Sequence, residues 1–195
     1  GLRSRPVDTD GLNLALGCRR HAAILFRMWV GRDTARRLNR SVIEIAERAV
    51  LATPPEETFE LVCDFARLVE WDPAVVASRR VAGNRLEPGS LYSVRVRFLG
   101  RTPIVDYELL AADRQRRVEY EARAAWITAR DTIVLEPSGP GTLLDARTRM
   151  QMSERLAPLA RVIGPLVRRQ ARASIERLIA VCESRARARS DGAPS

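Results

Sequence analysis

The chain has 195 residues, 46% of them hydrophobic, and a formal net charge of +9, enough for one good core but not for two full-sized domains. Its three cysteines, Cys18, Cys63 and Cys182, are odd in number and far apart with no CxxC pair, which argues against a disulfide framework and against a zinc cage. Arg19, Arg20 and Arg27 interrupt the one apolar stretch near the start, so no run reaches the roughly 20 residues of a spanning helix, and no secretory pattern is evident; cytoplasmic residence is the expectation.

All 33 basic residues are arginine, and they are unevenly placed: residues 1–40 carry +6, residues 41–153 carry −2 and residues 154–195 carry +5. Two basic ends suit an anionic membrane surface, an acidic partner protein or nucleic acid. Against nucleic acid stand the lack of a reader motif and the lack of aromatic residues interleaved with a basic stripe.

In chain order, residues 1–40 read as a basic extension with a short helix near residues 22–30. Apolar residues there cover more than one face, which fits a helix packed on a domain. Leu25, Phe26 and Trp29 beside arginines make peripheral membrane contact the alternative. Residues 41–189 read as the folded domain and residues 190–195 as a polar tail that frays. A first strand is expected over 42–52, rich in aliphatic and β-branched residues. Thr53-Pro54-Pro55-Glu56 then spells a helix start, with Thr53 as N-cap, proline at the first helical position and Glu56 closing a capping box. A second short helical turn carries Leu68, Val69 and Trp71 and stops at Asp72-Pro73, because the residue before proline avoids helical geometry.

From 75 to 152 the period becomes two, broken at Gly83-Asn84, Pro88-Gly89, Gly100 to Pro103, Asp113 to Gln115 and Ser138 to Gly141. Tyr92, Val94, Val96 and Phe98 alternate with Ser93, Arg95 and Arg97; Val118, Tyr120 and Ala122 alternate with Glu119, Glu121 and Arg123; Leu144, Ala146, Thr148 and Met150 alternate with Asp145, Arg147 and Arg149. One wet and one buried face is the mark of an antiparallel sheet over a core, and six strands are expected, with the break at Trp126 the faintest. The period then changes to 3.6: Leu159, Val162, Ile163, Leu166, Val167, Ile175, Leu178, Ile179 and Cys182 form a helical stripe. Gly164-Pro165 marks a kink or the true start, and a helix from Pro165 to Arg187 would run about 34 Å, enough to cross the sheet.

The order strand, two short helices, six-stranded meander, long helix resembles the helix-grip superfamily of START domains, the birch-pollen-allergen fold and the polyketide cyclase/dehydrase family. The strings Ala52-Thr-Pro-Pro-Glu-Glu-Thr-Phe59, Asp64-Phe65, Trp71-Asp72-Pro73, Gly89-Ser-Leu-Tyr92, Arg97-Phe-Leu-Gly100, Arg130-Asp-Thr132, Glu136-Pro137 and Gly141-Thr142 fall in the order of that last family, over residues 42–187. The resemblance implies an α+β fold, a curved antiparallel sheet of about seven strands around a long C-terminal helix, with two short helices after the first strand. It also implies a cavity between sheet and helix for a polyketide or lipid-like molecule. Some members are cyclases or dehydratases that close a carrier-bound poly-ketone chain by aldol chemistry; others bind or carry a ligand unchanged. Three functions follow as expectations: binding of a hydrophobic small molecule, cyclisation with an acidic acyl carrier protein as partner, or lipid carriage at a membrane contacted through residues 1–40.

The only histidine, His21, lies in the extension, so the domain has no imidazole base and no Cys/His metal cluster, and no nucleotide-binding glycine motif is present. No cofactor or metal is expected. Asp131 shares inward parity with Ile133 and Leu135, where burial would raise its pKa and suit it to acid or base work. A place near the strand end, paired with Arg130 or another arginine, is the structural alternative. Tyr107 and Tyr120 have the same parity and complete the catalytic candidates; each phenol has as its alternative one internal hydrogen-bond partner in a core. The ligand-binding candidates are Trp71, Tyr92, Val94, Val96, Phe98, Trp126, Ile133, Thr148 and Met150, with the two tryptophans placed to cap a cavity mouth. Arg95, Arg97, Arg147 and Arg149 have outward parity, a departure from cyclases whose pocket arginines hold the ketone chain.

Overall fold

A computed structural model describes residues 42–191. The expected extension over 1–40 and the last residues of the expected tail, 192–195, lie outside the described residues.

Strand β1 (Val42–Leu51) is followed by helix α1 (Pro55–Val62) and a 3₁₀ helix (Phe65–Glu70). Six strands come next: β2 (Val75–Ala82), β3 (Leu91–Val96), β4 (Ile104–Asp113), β5 (Arg117–Ala124), β6 (Ile127–Ser138) and β7 (Gly141–Met152). A second 3₁₀ helix (Glu154–Leu159) leads into the long helix α2 (Ala160–Asp191). The seven strands form one sheet in the order β1-β7-β6-β5-β4-β3-β2, and each neighbouring pair is antiparallel. The chain is thus a meander whose first strand returns to pair with the last. The antiparallel meander is what the alternation predicts, and seven strands around a long C-terminal helix is the arrangement that the family resemblance implies.

The start of α1 differs from the sequence expectation. Pro54 occupies the N-cap position, Pro55 lies in the first turn, and no side chain caps the helix. The capping box does not form because Thr53 is used elsewhere: its hydroxyl lies 2.7 Å from that of Thr58, while Thr142 of β7 donates to the Thr53 carbonyl at 2.8 Å. All three threonines are buried, so this cluster ties the start of α1 to the first residues of β7. Gly141 beside it is required by a close approach, since a Cβ there would collide with the Leu51 carbonyl oxygen. The second short helix is capped by Asp64, whose carboxylate accepts from the Ala66 amide at 3.1 Å.

Helix α2 begins five residues before Pro165 and continues to Asp191, past the expected end at Arg187. At about 1.5 Å per residue its 32 residues span about 48 Å. Pro165 is tolerated within it because the carbonyl that loses its helical donor belongs to Arg161, an exposed residue that water can serve. Gly164 is buried near Ile43 of β1, so the helix lies close to the sheet there. Leu178 and Cys182 are fully buried, whereas Val162, counted in the same stripe from the sequence, is 74% exposed.

The core is not uniform along the sheet. At one end Leu51, Phe59, Leu61, Phe65, Tyr92, Leu109, Tyr120, Leu135, Leu144 and Leu178 fill a dense cluster. Near the far end a smaller cluster gathers Ile43, Ile45, Met152, Ala160 and Ile163, with Phe98 and Trp126 against it. Between them the inward positions include Ala122, Ala129 and Ala146. Methyl groups stand there where large side chains would fill the space, and a cavity is left. Among the described residues no helix is long and apolar enough to cross a membrane.

Candidate functional site

The cavity measures about 260 Å³ and lies between the sheet and α2. Its walls come from all seven strands: Ile45 of β1, Val75 of β2, Val94 and Val96 of β3, Val105 and Tyr107 of β4, Ala122 of β5, Ala129, Asp131 and Ile133 of β6, and Ala146, Thr148 and Met150 of β7. Helix α2 closes it with Ile163, Val167, Ala171 and Ile175. Phe65, Leu68 and Trp71 line it from the first 3₁₀ helix and its cap.

Asp131 is the central polar group. Antiparallel register sets it opposite Thr148 of β7 on one side and Tyr120 of β5 on the other. The Thr148 hydroxyl donates to Asp131 Oδ1 at 2.5 Å. Burial pushes the Asp131 carboxyl up to about 6, and the Thr148 hydrogen bond offsets part of that rise. Among the described residues Asp131 pairs with no arginine: Arg130 lies on the outer face, 3.8 Å from Glu121. At neutral pH a carboxyl of this kind is mostly ionised yet keeps a sizeable protonated fraction, so it can take up or release a proton.

Tyr107 lines the cavity, and burial raises its phenol well above the ordinary range, helped by the nearby Asp131 and Asp72 carboxylates. Its ring meets Phe65 edge to face, centroids 5.0 Å apart. Val94, Val96, Phe98, Ile133, Thr148, Met150, Trp71 and Trp126 also line the cavity. Trp71 is held by a hydrogen bond from Nε1 to the Leu61 carbonyl at 3.2 Å. Trp126, in the turn after β5, lies 6.0 Å from Phe98 between ring centroids. Both rings also border a second recess at the surface, formed with Leu99, Arg101, Thr102, Pro103, Leu156 and Ile163.

Tyr120 and Tyr92 are placed differently from the sequence expectation, because neither lines the cavity. The Tyr120 hydroxyl donates to the Cys63 carbonyl at 2.8 Å and its ring stacks on Phe65 at 3.8 Å, which makes it a core residue with its polar atom spent. Tyr92 is fully buried in the same dense cluster, 5.7 Å from Tyr120 between ring centroids. Both have inward parity, but they lie too near the filled end.

Two acids missed in the sequence reading also line the cavity. Asp72 follows the first 3₁₀ helix; burial raises its carboxyl, while the Ala74 amide at 2.9 Å and the Ser174 hydroxyl of α2 oppose the rise. The sequence shows it only as the residue before Pro73. Glu47 lies on the inward face of β1 between Ile45 and Ala49, and its parity with those residues was a usable signal. Arg95, Arg97, Arg147 and Arg149 are exposed as their parity requires. Among the described residues, no group of three or more His, Cys, Asp or Glu side chains is placed to hold a metal ion.

A sequence profile described as polyketide cyclase / dehydrase and lipid transport matches residues 42–183. Solved structures share the fold at low identity. Ara h 8.0201 is 18% identical with a TM-score of 0.59, over 73% of this chain and 99% of that one. A START superfamily protein from Mycobacterium smegmatis is 18% identical with a TM-score of 0.59, over 74% and 97%. The Zhui aromatase/cyclase from Streptomyces sp. R1128 is 11% identical with a TM-score of 0.61, over 74% and 95%. No curated protein matches the sequence.

Proposed function

Because the chain belongs to the polyketide cyclase / dehydrase and lipid transport family, we propose that its internal cavity binds a hydrophobic small molecule of polyketide or lipid-like character. The observation that carries this reading is the cavity itself, about 260 Å³ of space walled by aliphatic and aromatic side chains. Space of that kind in a core costs stability unless something fills it. Native mass spectrometry of the purified protein, followed by extraction, tests the reading. The expected result is a defined small-molecule adduct that is retained on purification or taken up from a mixture of lipids and aromatic polyketides. A protein that carries nothing and takes up nothing would overturn it.

One observation favours a second reading, a cyclase or dehydratase acting on a carrier-bound poly-ketone. Asp131 projects into an apolar cavity with its carboxyl raised to about 6 and the Tyr107 phenol nearby. A base that removes a proton beside a ketone, and a phenol that hydrogen-bonds the resulting enolate, are the groups an aldol closure needs. An acidic carrier protein would meet Arg101, which lines the surface recess, and Arg97, Arg155 and Arg161, each within two residues of one that lines it, all exposed and without an ion-pair partner among the described residues. Asp131→Asn would then cut turnover by about 10² to 10⁴-fold with ligand affinity retained. Unchanged turnover would remove Asp131 from the mechanism.

A further inference from the structure

The walls of the cavity are mainly apolar, and the charged side chains among the described residues that turn into it are acidic. Glu47 enters from β1, Asp72 from the segment after the first 3₁₀ helix and Asp131 from β6, so three carboxyls reach it from separate elements. Among the described residues, no basic side chain balances them. Arg147 touches the cavity wall but turns its guanidinium outward onto Asp145, with contacts of 2.8 and 3.0 Å. The arginines of α2 nearest this region, Arg168, Arg169 and Arg172, are exposed and line no part of it. The Glu47 side chain has neither a hydrogen bond nor an ion pair among the described residues. Two facing α2 groups, Gln170 and Ser174, and the Tyr107 phenol are uncharged.

Building on the proposed ligand site, we infer that the cavity selects apolar molecules whose polar groups are hydroxyl or ammonium donors and rejects those that carry a carboxylate. A hydroxyl or ammonium group entering such a cavity donates to a carboxylate that already stands there, and its desolvation is offset. A carboxylate entering it finds like charges and no cation, so it must enter protonated or stay in water. Desolvation by itself raises the Asp131 carboxyl from 3.8 to about 6 here, against the Thr148 hydrogen bond, about a hundredfold in its ionisation constant. A ligand carboxylate would meet a penalty of that order. A fatty acid is therefore a poor ligand and the alcohol or amine of the same chain length a good one.

The test uses the full chain and the neutral fluorescent probe N-phenyl-1-naphthylamine, displaced at pH 8 by octan-1-ol, octylamine or octanoate. Octan-1-ol and octylamine are expected to compete about a hundredfold more strongly than octanoate. A difference below about tenfold would overturn the selectivity and leave the ligand-binding reading standing. Absence of saturable probe binding would overturn both. Separately, E47Q and D131N are each expected to strengthen octanoate binding. Octanoate affinity unchanged in both folded variants would also overturn the inference.

Discussion

Replacing Asp131 with asparagine should make the protein more stable at pH 8 and leave its stability at pH 4 nearly unchanged. The carboxyl stands at about 6 in the folded protein against an ordinary value of 3.8. Its folded pKa is therefore raised, and between those values the folded state binds a proton that the unfolded state has released. Stability from this group consequently falls as pH rises from about 4 to about 6, and above that range the fold carries the whole penalty of a buried carboxylate. Two pKa units correspond to about 3 kcal/mol. The asparagine carbonyl can still accept the Thr148 hydrogen bond, now 2.5 Å long, so the substitution removes the charge without orphaning the threonine. Urea unfolding followed by circular dichroism, at both pH values and for both proteins, isolates the effect as a difference of differences. A variant that is equally or less stable than the parent at pH 8, or whose advantage is the same at both pH values, would refute the reasoning.

Three other substitutions separate the cavity from the core. Tyr120→Phe removes the hydrogen bond to the Cys63 carbonyl and should cost about 1–2 kcal/mol in urea unfolding, with probe affinity unchanged; a large loss of affinity would return Tyr120 to the site. Thr148→Val removes the donor that holds the Asp131 carboxyl down, so the Asp131 titration should move to higher pH, read from its side-chain carboxyl carbon by nuclear magnetic resonance. Ala129→Phe puts a ring into the space left by a methyl group on β6 and should weaken probe binding at least about tenfold while costing about 1–3 kcal/mol from overpacking. Unimpaired binding in that folded variant would place the probe somewhere other than the cavity.

Much of this architecture is legible in the sequence because antiparallel strands with one wet face write their inward residues at every second position. The same rule placed Val94, Val96, Ile133 and Thr148 toward the helix, and it set Asp131 among aliphatic neighbours. Parity, however, gives the face of the sheet and not the distance along it. Tyr92 and Tyr120 share the parity of Val94 and Ala122 but lie over the dense cluster under α1, which tertiary packing alone decides. Glu47 obeys the rule as well; it was overlooked because a charge amid Ile45 and Ala49 reads as broken alternation. Asp72 lies outside any regular strand, and only the fold back of the 3₁₀ helix brings it to the cavity. The capping-box pattern failed for a related reason, since Thr53 found buried partners 5 and 89 residues away. A long-range hydrogen-bond cluster of that sort has no local signature.

The most direct test of an internal ligand site is a titration of isotope-labelled protein with octan-1-ol, followed by nuclear magnetic resonance of amide and methyl signals. Saturable shifts concentrated at Val96, Ile133, Met150 and Ile175, which line the cavity from β3, β6, β7 and α2, are predicted. Shifts confined to exposed apolar residues such as Leu99 and Val162, with those interior signals unmoved, would contradict it.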